Sequence, residues 1–125
     1  MRNKPTSIQI GTAAESLACD YLQRQGLALL ERNYRAPYGE LDLIMRDQNQ
    51  TVFVEVRYRR NQHFGSGADS IRPAKQDKLL KTALYYLQQH PKLAKRPVRF
   101  DVVSISVPEG QPEIDWIKDA FQAEG

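Results

Sequence analysis

Two alternating segments around a short polar loop constrain the fold of this chain most strongly. Residues 40–46 and residues 51–59 each alternate between two faces, as strands of a sheet do, and the polar residues 47–50 between them are typical of a hairpin loop. If the loop is centred on Gln48 and Asn49, partner residues have numbers that sum to 97. In the first strand, the alternation predicts one face with Leu41, Leu43 and Met45 and another with Glu40, Asp42 and Ile44.

The same register predicts that two carboxylates are neighbours. Asp42 is then opposite Glu55, and Glu40 is opposite Arg57. Opposed side chains on one face of a sheet have Cβ atoms about 4.5–5.5 Å apart, and like charges placed so are destabilising. A divalent cation would relieve this repulsion, because hard cations such as Mg²⁺ take oxygen ligands. The alternative is an exposed pair of acids partnered by Arg57 and Arg59.

Two further observations bear on this choice. Residues 52–56 are apolar on both faces except at Glu55, which indicates a buried strand in which an unpaired charge is costly. Glu15 falls at the edge of the apolar face of the first helix, from which it can reach a metal held by the other two carboxylates. Glu15 fits equally well as the capping-box partner of Thr12, and Thr6 with Gln9 offers a second capping box.

The remaining periodicities predict an α/β chain. The expected elements are a helix over 6–25, strands over 27–35, 40–46 and 51–59, a helix over 73–89, an apolar strand over 98–107, and a short strand and helix over 113–123. In the second helix, one face should carry the cations and another the apolar residues Leu80, Ala83, Leu84 and Leu87. At 125 residues, one domain spanning 1–125 is expected.

Composition excludes several classes of protein. No apolar run approaches the roughly 18 residues of a membrane helix, and no apolar stretch follows the basic N-terminus as in a secretory signal. Cys19 is the single cysteine, and the two histidines, His63 and His90, lack the spacing of a metal site. A cytoplasmic protein without membrane partners is therefore expected.

The positive charge is concentrated in the middle of the sequence. Residues 57–99 contain eleven Lys or Arg and two acids, a charge of +9, whereas the rest of the chain carries −6. Such a distribution is typical of a surface that binds a polyanion, although solvated side chains on ordinary surfaces are the alternative. Lys75, Lys78, Lys81 and Tyr85 share one face of the second helix. Gln76 lies among the apolar positions, so it should be buried, face the sheet or bond to the backbone.

These residues resemble the PD-(D/E)XK nuclease superfamily. The resemblance rests on Asp42, on the segment from Glu55 to Arg57 and on Glu15 in the preceding helix, together with the phrases GTAAE, GELDLI and FVEVRYR and the start of the second helix. Within that superfamily the chain is similar to archaeal Holliday-junction resolvases, and it is more similar still to the bacterial YraN-like family.

The resemblance implies a restriction-endonuclease-like three-layer core with αβββαβ order and a mixed central sheet. It also implies hydrolysis of DNA, including branched or recombining DNA, assisted by Mg²⁺ or Mn²⁺. The implied metal ligands are Asp42, Glu55, the Val56 carbonyl and Glu15, directly or through water. The expected DNA contacts are Arg59, Arg60, Arg72, Lys75, Lys78 and Gln76, and analogy with junction resolvases adds a homodimer.

Arg57 departs from the superfamily pattern, because it stands where the motif has lysine. Arginine stays charged and is a poor base, although it can orient water or stabilise charge in the transition state. Two alternatives therefore stand beside the nuclease. One is a non-catalytic nucleic-acid-binding or interaction module that keeps the nuclease fold, and the other is a scaffold whose basic region binds an acidic protein.

Overall fold

The computed structural model of the chain describes residues 6–59, 71–107 and 110–122. The elements in chain order are α1 Ser7–Arg24, β1 Ala28–Ala36, β2 Gly39–Asp47, β3 Gln50–Arg59, α2 Pro73–Gln89, α3 Pro91–Ala94, β4 Val98–Ser106 and β5 Glu113–Phe121. The strands form one sheet in the order β1-β2-β3-β4-β5, in which β3 and β4 are parallel and the other neighbours antiparallel. The predicted α/β class, αβββαβ order and mixed sheet are confirmed.

The two long helices cover opposite faces of the sheet. Ala18 and Leu22 of α1 belong to one buried cluster with Val54 of β3, whereas Leu79 and Phe53 belong to a second cluster on the α2 side. The helix α2 joins the parallel strands β3 and β4, which need a crossover connection of this kind. The three layers are compatible with the expected nuclease-like core.

The predicted register of the hairpin is confirmed. Leu43 is opposite Val54 and Asp47 is opposite Gln50, so the residue numbers of each pair sum to 97. Gln48 has a positive φ of 56° at the tight turn between the strands. Among the described residues the β2–β3 ladder ends at Leu43 and Val54, so it stops short of the backbone pairs expected at Asp42–Glu55 and Glu40–Arg57.

The alternation predicted for β2 is wrong at Leu41. Leu43 and Met45 pack on the α1 side of the sheet, but Leu41 packs with Ile44 on the α2 side. The side chains of β2 therefore change faces at Asp42, between Leu41 and Leu43.

The neighbouring strand changes faces at the matching place. In β1, Arg32 contacts Ser16 of α1, whereas Tyr34 packs in the α2-side cluster. Asn33 between them has a φ of +53°, a left-handed conformation that asparagine tolerates better than most residues. Because the register places Asn33 beside Asp42, the kink in β1 and the face change in β2 coincide. Asp42 can thus meet side chains from both faces of the sheet.

Two other expectations need correction. The segment predicted as a short strand and helix is one strand, β5, over its described part, because Ile114 and Trp116 alternate into the α1-side core and the backbone pairs with β4. Leu84 does not join the buried face of α2. Its side chain is 59% exposed, and Leu79, Ala83 and Tyr86 are buried instead. None of the helices in the described part of the chain is long and apolar enough to cross a membrane.

Candidate metal centre

The start of α1 determines the role of Glu15. The Thr6 hydroxyl accepts from the Gln9 N–H at 3.1 Å, and the Gln9 side chain accepts from the Thr6 N–H at 2.8 Å. Of the two capping boxes that the sequence allows, this one forms, so Glu15 is not needed at the helix start. Glu15 lies in the middle of α1 with its side chain 17% exposed and its Oε1 atom 4.0 Å from Nη2 of Arg32.

Three carboxylates from α1 and β2 lie close together. Glu15, Glu40 and Asp42 each offer an oxygen within 4.8 Å of the others. Burial raises the pKa of Glu15, and the charge of Glu40 adds to this effect, while Arg32 and hydrogen bonds with Asn33 and Asp42 oppose it. Glu40 is not among the site residues predicted from the sequence. Its position two residues before Asp42 is the one feature of the sequence that could have indicated its place in this group.

Asp42 also contacts a carboxylate on the α2 side. Its side chain is hydrogen-bonded to that of Glu55, and its Oδ2 atom accepts from the Val56 N–H at 2.9 Å. Burial and then the negative charge of Glu55 raise the pKa of Asp42 from 3.8 to about 8. In the absence of a cation, this raised pKa keeps Asp42 largely protonated near neutral pH.

Lys75 of α2 provides a positive charge within the site. Its ammonium group forms an ion pair with Oε2 of Glu55, whose side chain is only 7% exposed. The sequence placed Lys75 among the DNA contacts, whereas the structure brings it to the carboxylates. Glu55, the second acid of the pair, is thus already paired with a positive charge, the Lys75 ammonium group.

A cavity of about 600 Å³ opens between these groups. Glu40, Asp42 and Glu55 line one side, and three cations from the beginning of α2 line the other. These cations are Arg72, Lys75 and Lys78. Two of the carboxylates predicted as metal ligands and three of the residues predicted as DNA contacts therefore share one cavity. An anion such as a phosphate group can lie between the acids and the cations once a metal balances the acids.

The other predicted site residues have varied surroundings. Arg57 is half-buried on β3, opposite Ser104 of β4 and two positions beyond Glu55, so it shares the face of Glu55. Gln76 donates from Nε2 to the Ile71 carbonyl at 2.9 Å, which is the backbone bond that the sequence left open. Arg59 is half-buried at the end of β3.

Two members of the basic stretch do not add to the described surface of the cavity. Arg60 lies outside the described residues. Arg99 has a side chain only 12% exposed and forms ion pairs with Asp47 and Asp101 at 2.9 and 3.0 Å. It belongs to a buried network in which Asp101 also accepts from Trp116 Nε1 at 2.9 Å. Its charge is neutralised within the fold.

The donor atoms fit a hard divalent cation. Asp42, Glu55, Glu15 and Glu40 offer only carboxylate oxygens, which are the ligands that Mg²⁺ and Mn²⁺ prefer. Two of them are already in surroundings that favour positive charge, since the pKa of Asp42 is raised and Glu55 forms an ion pair with Lys75.

Comparison with known proteins gives the family. Residues 14–105 match the family described as "Uncharacterised protein family UPF0102". A UPF0102 protein of Nitrosococcus oceani is 51% identical over 114 residues, which cover 91% of this chain and 92% of that protein. A UPF0102 protein of Pseudomonas aeruginosa is 46% identical over 125 residues, covering 98% of this chain and all of that protein.

The chain also resembles a solved structure described as Pyrococcus furiosus SfsA in complex with Ca²⁺. The TM-score is 0.40 and the identity 16%, with 86% of this chain and 62% of that chain covered. The family match covers most of the sequence, and the two UPF0102 proteins are similar over nearly their whole length. This chain therefore belongs to the UPF0102 family, which confirms the expected YraN-like membership.

Proposed function

We propose that this protein is a metal-dependent endonuclease that hydrolyses phosphodiester bonds in DNA. The observation that carries the proposal is the cavity in which Asp42 and Glu55 face the cations of α2. Separate clusters of acids and bases are common on protein surfaces. An acid pair in which the pKa of Asp42 is raised to about 8, and which faces a row of cations, is more typical of a site for a metal and a phosphate.

The expected ligands of Mg²⁺ or Mn²⁺ are Asp42 and Glu55, with Glu15 and the Val56 carbonyl as further donors. When bound, the cation would promote ionisation of a water molecule and offset charge on the phosphate. The Val56 N–H fixes the orientation of the Asp42 carboxylate, as the groups around metal ligands commonly do. Metal binding would displace the proton from Asp42 and the Lys75 ammonium from Glu55.

The cations would bind and orient the substrate. Arg72, Lys75 and Lys78 would contact phosphate oxygens, and Arg57 would stabilise negative charge in the transition state. In the reaction, the oxygen of water forms a bond to phosphorus and the bond from phosphorus to one sugar oxygen breaks. One proton from water ends on the departing sugar oxygen, so the products are a phosphate monoester and a hydroxyl.

The test is cleavage of junction, flap, single-stranded and duplex DNA with Mg²⁺ or Mn²⁺. Asp42→Asn and Glu55→Gln should each reduce cleavage at least ~100-fold, because each removes a metal-binding charge while keeping the shape of the side chain. Asp20→Asn makes the same chemical change at an exposed position of α1 and should cleave like the wild type. Equal nicking by the wild type and both site variants would identify a contaminant and refute the nuclease.

A non-catalytic DNA-binding module is the second candidate, and Arg57 at the position of the motif lysine favours it. In that case the protein should bind DNA with a steep dependence on salt concentration and should leave it uncut with either metal. Affinity independent of salt would show that the cations of α2 do not contact phosphates.

A further inference from the structure

A patch of apolar surface lies beside the cavity, at the turn between β1 and β2. The Tyr38 side chain in this turn is 52% exposed, and Leu84 on α2 is 59% exposed. The rings of Tyr38 and Tyr85 meet edge to face, with centroids 6.3 Å apart and planes at 70°. Together with Lys81 and Gln88, these residues line a shallow cavity of about 210 Å³.

The fold does not use this patch for its core. Tyr38, Leu84 and Tyr85 belong to neither buried cluster of the described chain. Gly39 nevertheless holds the turn close to α2: its φ is +154°, and a Cβ atom there would lie 3.3 Å from Thr82 Oγ1. The backbone thus fixes an exposed tyrosine against an exposed leucine, and clustered exposed apolar side chains of this kind mark contact surfaces.

A row of lysines connects this patch with the metal centre. Lys75, Lys78 and Lys81 precede Tyr85 on one face of α2, and Lys75 and Lys78 line the cavity that holds the carboxylates. Ten residues separate Lys75 from Tyr85, which corresponds to ~15 Å along the helix. A strand with stacked bases, at ~3.4 Å per nucleotide along its axis, covers that distance in about four nucleotides, and an unstacked strand covers it in fewer.

We propose that Tyr38, Leu84 and Tyr85 form a platform on which an unpaired base stacks when the same strand has a phosphate in the cavity. The proposal rests on the nucleic-acid function proposed above and defines its substrate class as strands with unpaired bases, such as single strands, flaps and branch points. The cations favour a polyanion over an apolar protein segment. The exposed ring of Tyr38, held against the half-buried ring of Tyr85, favours bases that are not already stacked in a duplex.

The test compares binding of a single strand of ~12 nucleotides with binding of the duplex of the same sequence. Both are measured in Ca²⁺, which takes carboxylate ligands and so balances the acids, and gels check that neither probe has been cut. Tyr38→Ala should weaken single-strand affinity about 5- to 100-fold and duplex affinity less than about 2-fold. Tyr38→Phe keeps the ring and should bind like the wild type. Leu30→Ala removes an exposed apolar side chain on β1 and should also have no effect.

Equal losses for both probes, or no loss for either, would overturn the platform. Sedimentation of each variant provides a second readout. If the wild type is a dimer that dissociates in Tyr38→Ala while single-strand affinity is unchanged, the patch joins two copies of the chain. That result would also overturn the platform. Titration with Mn²⁺ distinguishes failure of the platform proposal from failure of the proposed nuclease function. Tyr38→Ala should bind Mn²⁺ as the wild type does, whereas an inability of the wild type itself to bind Mn²⁺ would refute the nuclease.

Discussion

Replacing Asp42 by asparagine should stabilise the metal-free protein while removing the proposed nuclease activity. The wild-type fold holds Asp42 beside Glu55 in a half-buried position, and the desolvation and the charge of Glu55 raise the pKa of Asp42 to about 8. Asparagine has nearly the same shape, keeps an oxygen that can accept from the Val56 N–H, and can donate to Glu55. It lacks the charge that makes the arrangement unfavourable.

The size of the effect follows from the pKa. A shift from 3.8 to about 8, at about 1.4 kcal/mol per pKa unit, sets an upper limit of ~6 kcal/mol. Relaxation and entry of water reduce such penalties, so we expect a gain of about 2 kcal/mol in the free energy of unfolding above pH 8.

The stability that Asp42→Asn gains over the wild type depends on pH. The folded wild type binds the proton of Asp42 more tightly than the unfolded chain does. The stabilisation of the fold by this proton is therefore complete below pH ~4 and is lost as the pH rises through ~8. Asp42→Asn does not titrate, so its advantage should be largest at pH ~9 and about a third as large at pH ~5.

Urea unfolding in EDTA at these two pH values measures the difference. Asp20→Asn, which changes an exposed carboxylate on the same protein, should alter the free energy of unfolding by less than about 0.5 kcal/mol at either pH. A destabilised Asp42→Asn at high pH, or an advantage that does not change with pH, would refute the reasoning that the acid pair stores unfavourable charge.

Three further predictions follow from the same contacts. Lys75→Met should raise Mn²⁺ affinity about 3-fold in calorimetric titrations, because it removes the cation that competes for Glu55, and unchanged or weaker affinity would contradict this. Arg57→Lys should preserve or raise any cleavage, since lysine can lose its proton, and complete loss of cleavage would show that the guanidinium itself is required. Asp101→Asn should lower the free energy of unfolding by ~3 kcal/mol in urea titrations, because the Asp101 side chain is fully buried and pairs with Arg99. A loss below about 1 kcal/mol would show that the buried network around Arg99 contributes little to stability.

The hairpin that positions the site could be predicted from local sequence. The polar loop fixes the register of β2 and β3, and the alternation of β3 places Glu55 on the α2 face. Both features depend on residues close together in the chain, so the pattern contains the necessary information.

The face of Leu41 and the position of Lys75 could not be predicted in this way. Leu41 changes sides where Asn33 of the neighbouring strand has a left-handed conformation, a feature that no pattern within β2 reveals. Lys75 reaches Glu55 because α2 packs across the sheet, and the helical pattern indicates only that Lys75 shares a face with other lysines. In both cases the deciding contact joins elements that are separate in sequence.

The metal centre can be tested by calorimetric titration of Mn²⁺ into the purified protein at neutral pH. We expect saturable binding by the wild type that weakens at least ~10-fold in both Asp42→Asn and Glu55→Gln, with Asp20→Asn unchanged. Equal Mn²⁺ affinity in the wild type and the two site variants, or no saturable binding by the wild type, would contradict the assignment of these carboxylates as a metal centre.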